Sequence, residues 1–442
     1  MFILILALIV LFTVLDASIS SFILLMIAYA TGLGVTLTLS GNIRRKARNI
    51  FYIIFAVYIV TAYITSLSFS TLDHFLVSDS SRYIDSYINR IHFFYNKQDF
   101  IDCYFHFADN NLLYNAYLNT MAMFVNNDLG GMTVYGMTLL QTVWGVLSAI
   151  VLFRILSRHF EVEKAFHYTL TFALCSLFLF YSTVVIRDIV ICFLYLCAFD
   201  VVDQKFSLTG LVKLGVIMIL VWGIRLYSGI FVATFIGYYL YVQCRTSSLK
   251  SIATFLFAIV LIFAAGSILA SSLMEQTIAE LEGYEELSAE RSAGGMVSKL
   301  QSLPPGISHF AIVLFTMVRP LPPFAIYSGA QTFSHIVMSS MCLIAGFFWF
   351  VVFYSLCCQL FLKKYVFKMP FEQAVMLLVC LVFMLANASH PDIRRMLPVF
   401  PILFVQFAEI CEAEKVKLFD SKISKCLMSF YVMMAFGMLA IM

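Results

Sequence analysis

Apolar residues run along this chain in long unbroken blocks, with neither the alternation of a half-buried strand nor a heptad seam. The blocks are 2–15, 17–40, 49–72, 129–153, 165–186, 189–204, 206–224, 226–244, 251–274, 332–362, 369–389, 396–411 and 424–442. A helix needs about 20 apolar residues to cross a hydrocarbon core about 30 Å thick. Most of these blocks meet or approach that length, so the pattern predicts an all-α polytopic membrane protein with 13 transmembrane helices. The stretch 307–330 is ambiguous because Arg319-Pro320-Leu321-Pro322-Pro323 interrupts it, and proline removes helix donors and kinks the chain. The first block has no basic residues ahead of it and no small-x-small site after it, so it reads as a span and not as a cleaved signal.

Composition agrees with this class and excludes others. Of 442 residues, 62% are hydrophobic and 12% charged, and the mean hydropathy is +0.93. Soluble domains carry roughly 25% charged residues. A chain with half that charge cannot cover its own surface, which excludes a soluble enzyme, a disordered chain and a nucleic-acid binder. The 11 cysteines stand singly apart from Cys357-Cys358, with no Cys/His ligand spacing and no disulfide framework. No metal or other cofactor is expected.

The net charge of +3 matters less than where the charges fall. Basic short loops are Arg44–Arg48, Arg154/Arg158/Lys164, Lys205, Arg245/Lys250, Lys363/Lys364/Lys368 and Lys415/Lys417/Lys422/Lys425. Positive loops stay cytoplasmic, and a cytoplasmic N-terminus puts all of them inside. Loops 245–250 and 363–368 then require an even number of crossings between them. Blocks 251–274 and 332–362 supply two, so 307–330 reads as re-entrant or lying on the outer surface. Two long loops face out, 73–128 and 275–331. Residues 1–442 form one transmembrane unit, with no repeat relating its halves.

Several arginines break the positive-inside pattern. Arg187, Arg225, Arg394 and Arg395 all lie at outer ends of apolar blocks, and Arg319 and Arg82 lie in the outer loops. The blocks beside them are short, which sets these groups at outer-leaflet depth. Ionised groups there usually line a polar cavity, although an arginine at a span end also snorkels to headgroups. A guanidinium presents a planar fork that matches phosphate oxygens. Arginines gathered from several helix ends therefore suit a lipid-linked phosphate or diphosphate.

Candidate acids and bases are Asp79, Asp188, His390 and Asp392. Asp188 adjoins Arg187, and Asp392 stands three residues before Arg395, so both read first as ion-pair partners. In the first outer loop, Tyr83, Ile84, Tyr87, Ile88, Ile91, Phe94 and Tyr95 make one helical stripe with Asp85, Ser86, Asn89 and His92 opposite. That pattern reads as an amphipathic helix on the outer membrane surface or packed on the bundle. Farther on, Asp102, His106, Asp109, Asn110 and Asn111 mix with Tyr104 and Tyr114, as in a sugar-binding surface or a solvated loop. The glutamates between Glu275 and Glu290, followed by Gly294-Gly295, read as a mobile solvated segment.

Taken in order, Asp79-x-x-x-Tyr83, Ser182-Thr-Val-Val-Ile-Arg-Asp188, Gly223-Ile-Arg-Leu-Tyr-Ser-Gly229 and Asp392-Ile-Arg-Arg-Met-Leu-Pro-Val-Phe-Pro401 resemble the bacterial oligosaccharide repeat-unit polymerases of the Wzy and EpsG-like type. The resemblance covers most of the chain. It departs from EpsG-like chains at Arg187-Asp188, where they tend to have Arg-Gln, and at Arg225, where they often have His. Asp109-Asn110-Asn111 stands in place of their Glu-Pro-Gly-like element. The resemblance implies a GT-C-like fold in the bacterial inner membrane, with undecaprenyl-diphosphate-linked oligosaccharide as donor and acceptor. Membrane lipids surround it, and a chain-length regulator and a flippase are implied partners. Arg187, Arg225, Arg319, Arg394, Arg395 and Arg82 would bind the diphosphate, with Asp188, Asp392 and Tyr83 in support. Asp79 is the expected catalytic base, because it stands at the rim with no opposite charge nearer than Arg82, and His390 is the second candidate. The rival readings are a flippase and a transferase adding one sugar from a polyprenyl phosphate.

Overall fold

The computed structural model describes residues 2–67, 83–84, 112–125, 131–225, 228–245, 296–304, 306–318, 333–388, 393–416 and 422–441. Among them there is helix and no strand. The helices are α1 Phe2–Asp16, α2 Ile19–Leu37, α3 Gly41–Leu67, α4 Leu112–Phe124, α5 Val134–His159, α6 Val162–Cys175, α7 Leu177–Tyr181, α8 Asp188–Val202, α9 Leu208–Ile224 and α10 Ser228–Arg245. They continue with α11 Met296–Gln301, α12 Ile307–Val318, α13 Phe333–Cys357, α14 Phe371–Ala386, α15 Ile393–Met396, α16 Phe400–Ala413 and α17 Lys422–Ile441. Only a backbone that satisfies its own hydrogen bonds survives in hydrocarbon, which is why apolar blocks of this kind resolve into helices.

Five described segments are long and apolar enough to cross a membrane: Ile19–Leu37, Gly41–Leu67, Val134–His159, Ile336–Leu362 and Ile393–Ala413. Five more apolar helices are shorter, among them Phe2–Asp16, Leu208–Ile224 and Phe371–Ala386. Large apolar side chains remain exposed along α1 and α9, including Val10, Val14, Leu208, Val212, Val216 and Ile219. Water would not tolerate such faces, and lipid does. The protein is membrane-embedded and all-α. The count of 13 spans and the GT-C-like architecture are finer than these helices establish. The block 251–274 lies outside the described residues, and of 307–330 only Ile307–Val318 is described, as helix.

α5 is the centre of the bundle. It packs against α2, α3, α6 and α8, and its side chains are buried nearly all round. Its start is fixed by Thr133, whose hydroxyl accepts from the Gly136 amide at 2.9 Å and donates to Asp16 Oδ2 at 2.8 Å. One cap therefore also ties the end of α1 to the start of α5.

The block 165–186 does not form the single span expected of it. α6 ends at Cys175, and Ser176 takes an extended backbone (φ −97°, ψ 168°) with its hydroxyl accepting from the Phe178 amide at 3.1 Å. The short α7 follows, and the chain then runs without helix from Ser182 to Ile186 before α8 begins. Residues Ser182, Thr183, Val184, Val185 and Ile186 are all buried. Irregular backbone at membrane depth survives only inside protein or along a polar cavity. Here the serines and threonines help meet it: Thr183 Oγ1 donates to the Phe180 carbonyl at 2.8 Å, and Thr142 Oγ1 donates to the Ser182 carbonyl at 3.4 Å. Gly145 of α5 makes room for this stretch, because a Cβ there would overlap the Ser182 side chain.

Candidate functional site

The broken segment delivers Arg187 and Asp188 to the first turn of α8. Arg225 closes α9 from the other side. Its amide donates to the Val221 carbonyl at 2.8 Å, its backbone is extended at φ −155°, and Ser228 opens α10 three residues later. Arg394 and Arg395 belong to α15, a single turn before Pro398 and α16. The ends of α8, α9 and α15 thus converge.

Asp188 joins them. Its Oδ1 lies 2.7 Å from Arg225 Nη2, and its Oδ2 lies 3.9 Å from Arg394 Nε. The carboxylate is 2% exposed, Arg225 4% and Arg394 8%. Burying an ion costs several kcal/mol unless it is paired, and a shared carboxylate offsets that cost for two arginines at once. Sequence reasoning paired Asp188 with its neighbour Arg187. The structure pairs it instead with arginines far along the chain, because the first turn of α8 points its carboxylate towards α9 and α15. Arg187 and Arg395 are half-buried.

Among the described residues, Asp188 is shared by Arg225 and Arg394, with Arg187 and Arg395 adjacent in the chain. Backbone amides at the start of α8 add positive partial charge. In this buried setting each hydrogen bond is stronger than in water.

The segment between α3 and α5 reaches this neighbourhood. Leu113 of α4 occupies the space that a side chain at Gly223 would need, two residues before Arg225. The half-buried ring of Tyr83 packs edge-on to Tyr114, with centroids 5.1 Å apart, and Ile84 beside it is buried. Asp79, Arg82, Arg319, His390 and Asp392 lie outside the described residues. So do most of the predicted amphipathic helix, the polar residues 102–111, and the glutamates from Glu275 to Glu290.

A second charged cluster, which sequence reasoning did not assemble, occupies the other end of α8. Asp200, 3% exposed, accepts from Arg154 Nε at 3.1 Å and from Arg158 Nη1 at 2.9 Å. Asp203 pairs with Arg158 at 2.7 Å and with His159 at 2.9 Å. His159 reaches Glu409 at 2.9 Å, and Gln373 donates to the same carboxylate at 3.2 Å. The available signal was spacing: Arg154 and Arg158 stand four apart on α5, and Asp200 and Asp203 three apart on α8. Among the described residues, no group of three or more His, Cys, Asp or Glu side chains is arranged to hold a metal ion.

Comparison with protein-family models, curated proteins and solved structures finds no match.

Proposed function

We propose that the protein is a polysaccharide polymerase. In this reading it transfers a growing glycan from undecaprenyl diphosphate onto a lipid-linked oligosaccharide repeat unit, at the outer face of the bacterial cytoplasmic membrane. The observation that carries the reading is the convergence of Arg225 and Arg394 on the buried carboxylate of Asp188, beside a broken helix, with Arg187 and Arg395 next to them in the chain. A diphosphate is the leaving group whose developing charge such donors stabilise. An acceptor hydroxyl attacks the anomeric carbon, the bond from that carbon to the diphosphate oxygen breaks, and the hydroxyl proton passes to a base. Asp188 is held by two arginines and is unsuited to that task. Asp79 remains the proposed base and His390 the second candidate. Tyr83, four residues after Asp79, packs on α4 next to the arginine site, which supports an approach of the acceptor from that loop.

Three experiments test this. Arg187→Lys, Arg225→Lys and Arg395→Lys each keep the charge but lose the fork, and each should impair polymer formation while the protein persists in the membrane. Full activity in all three would mean that the arginines only snorkel. Asp79→Asn should stop chain growth and leave lipid-linked repeat units accumulating, whereas a normal ladder of chain lengths would move the role to His390. Cysteine labelling should report Ser292 outside and Lys364 inside, and finding both on one side overturns the orientation. Transbilayer movement of lipid-linked oligosaccharide without chain growth would favour the flippase.

A further inference from the structure

Gln141 sits in the N-terminal third of α5, fully buried, and neither its Oε1 nor its Nε2 has a hydrogen-bond partner among the described residues. Leaving a buried carboxamide unpaired is costly, so its surroundings matter. Around the helix at 100° per residue, Gln141 falls between Gly145 and Trp144. Gly145 lies against Ser182, and the Trp144 ring lies 5.3 Å from Phe193 of α8. α5 and α8 run parallel, since Trp144 meets Phe193 and Arg154 meets Asp200 farther along both. Gln141 is three residues nearer the helix start than Trp144, about 4.5 Å, and helical side chains lean towards their own N-terminus. Its carboxamide therefore faces the 182–187 stretch and the first turn of α8, about one helical turn beneath Arg187.

The unpaired atoms are one acceptor and one donor group. A phosphate diester offers only acceptors and would satisfy Nε2 alone. A hydroxyl both donates and accepts, and a pair of neighbouring hydroxyls satisfies both ends of a carboxamide. We infer that Gln141 is a specificity-determining residue that hydrogen-bonds the hydroxyls of the sugar joined to the diphosphate. This rests on the reading of the arginine cluster as a diphosphate site. The stretch 182–187 beside Gln141 is non-helical, and few backbone hydrogen bonds hold it: the Ser182 amide donates to the Phe178 carbonyl at 2.9 Å and the Thr183 amide to the Phe180 carbonyl at 3.0 Å.

The test uses the full-length protein purified in lipid nanodiscs. The probes are undecaprenyl diphosphate and the same lipid bearing its saccharide, isolated from the protein's own host. Wild type should bind the saccharide-bearing lipid about tenfold more tightly than the bare lipid. Gln141→Met keeps the volume and removes both polar atoms. It should lose that preference, keep its affinity for the bare lipid, and melt no lower than wild type, because it removes an unsatisfied group. Gln141→Asn, which withdraws the amide by one methylene, should lose the preference as well and serves if the methionine variant does not fold. A preference unchanged in the variants, with a lower melting temperature, would mean that the carboxamide only holds a structural water and would overturn the inference. Equal binding of both lipids by wild type also overturns it and leaves the diphosphate reading standing. Binding of neither lipid by wild type overturns the diphosphate reading itself.

Discussion

The two ends of α8 hold charge in different settings. At its C-terminal end, Arg154, Arg158 and His159 meet Asp200, Asp203 and Glu409, and these contacts close among themselves at 2.7–3.1 Å. At its N-terminal end, about 22 Å away, the carboxylate of Asp188 is shared by two buried arginines, Arg225 and Arg394. The first cluster is balanced and needs nothing from outside the protein. It clamps α5, α8 and α16 together. The second brings charge from three helix ends into the core. Arginines that reach solvent can rehydrate when a partner is lost, whereas buried ones depend on the groups that face them.

The largest test of this contrast exchanges one arginine at each end for lysine. Arg225→Lys should lower polymer formation by about a hundredfold or more, the scale on which a single donor to a developing anion acts. Arg158→Lys should stay within a few-fold of wild type. Equal losses in a polymerisation assay would erase the distinction. Next in size is stability. Asp188→Asn leaves buried arginines without their carboxylate and should cost about 3 kcal/mol. Asp200→Ala, whose arginines are 36% and 29% exposed and can rehydrate, should cost about half as much. Melting curves with added undecaprenyl diphosphate sharpen the point, because the ligand should restore most of the loss in Asp188→Asn and none of it in Asp200→Ala.

A smaller effect is expected at the helix break. Ser176→Ala removes one cap and should lower stability by about 1 kcal/mol, seen as a modest drop in melting temperature. The smallest is at the surface. Lys164 pairs with Glu412 at 2.9 Å, and that carboxylate raises the lysine above its usual range. Both side chains are about half exposed, so Lys164→Ala should leave the melting temperature unchanged within error.

The contrast was only half legible in the sequence. Hydropathy blocks revealed the membrane class, because that signal is local, and two of the arginines singled out at block ends, Arg225 and Arg394, meet at Asp188. The partner of Asp188 was not legible. Arg225 and Arg394 reach it through helix packing, and nothing within a few residues of position 188 encodes that. The break at Ser176 was hidden for another reason: a serine inside an apolar run barely moves a hydropathy average, yet its hydroxyl can take the place of a helical hydrogen bond. The C-terminal cluster was in view as charged spacing on two helices. Its arginines were taken as loop charges that orient the chain, since periodicity does not say which two helices face one another.

Gly145 carries no chemistry, yet its missing side chain makes room for Ser182 and, through it, for the approach to Arg187. In a genetic screen for loss of polymer, this position should appear beside the arginines although it touches no substrate. An alanine there presses on Ser182 and on the edge of the Tyr58 ring, so its phenotype should be suppressed in part by Ser182→Gly and by no change at the arginines. Positions 145 and 182 are therefore coupled by volume: whatever enlarges one must be met by a smaller group at the other.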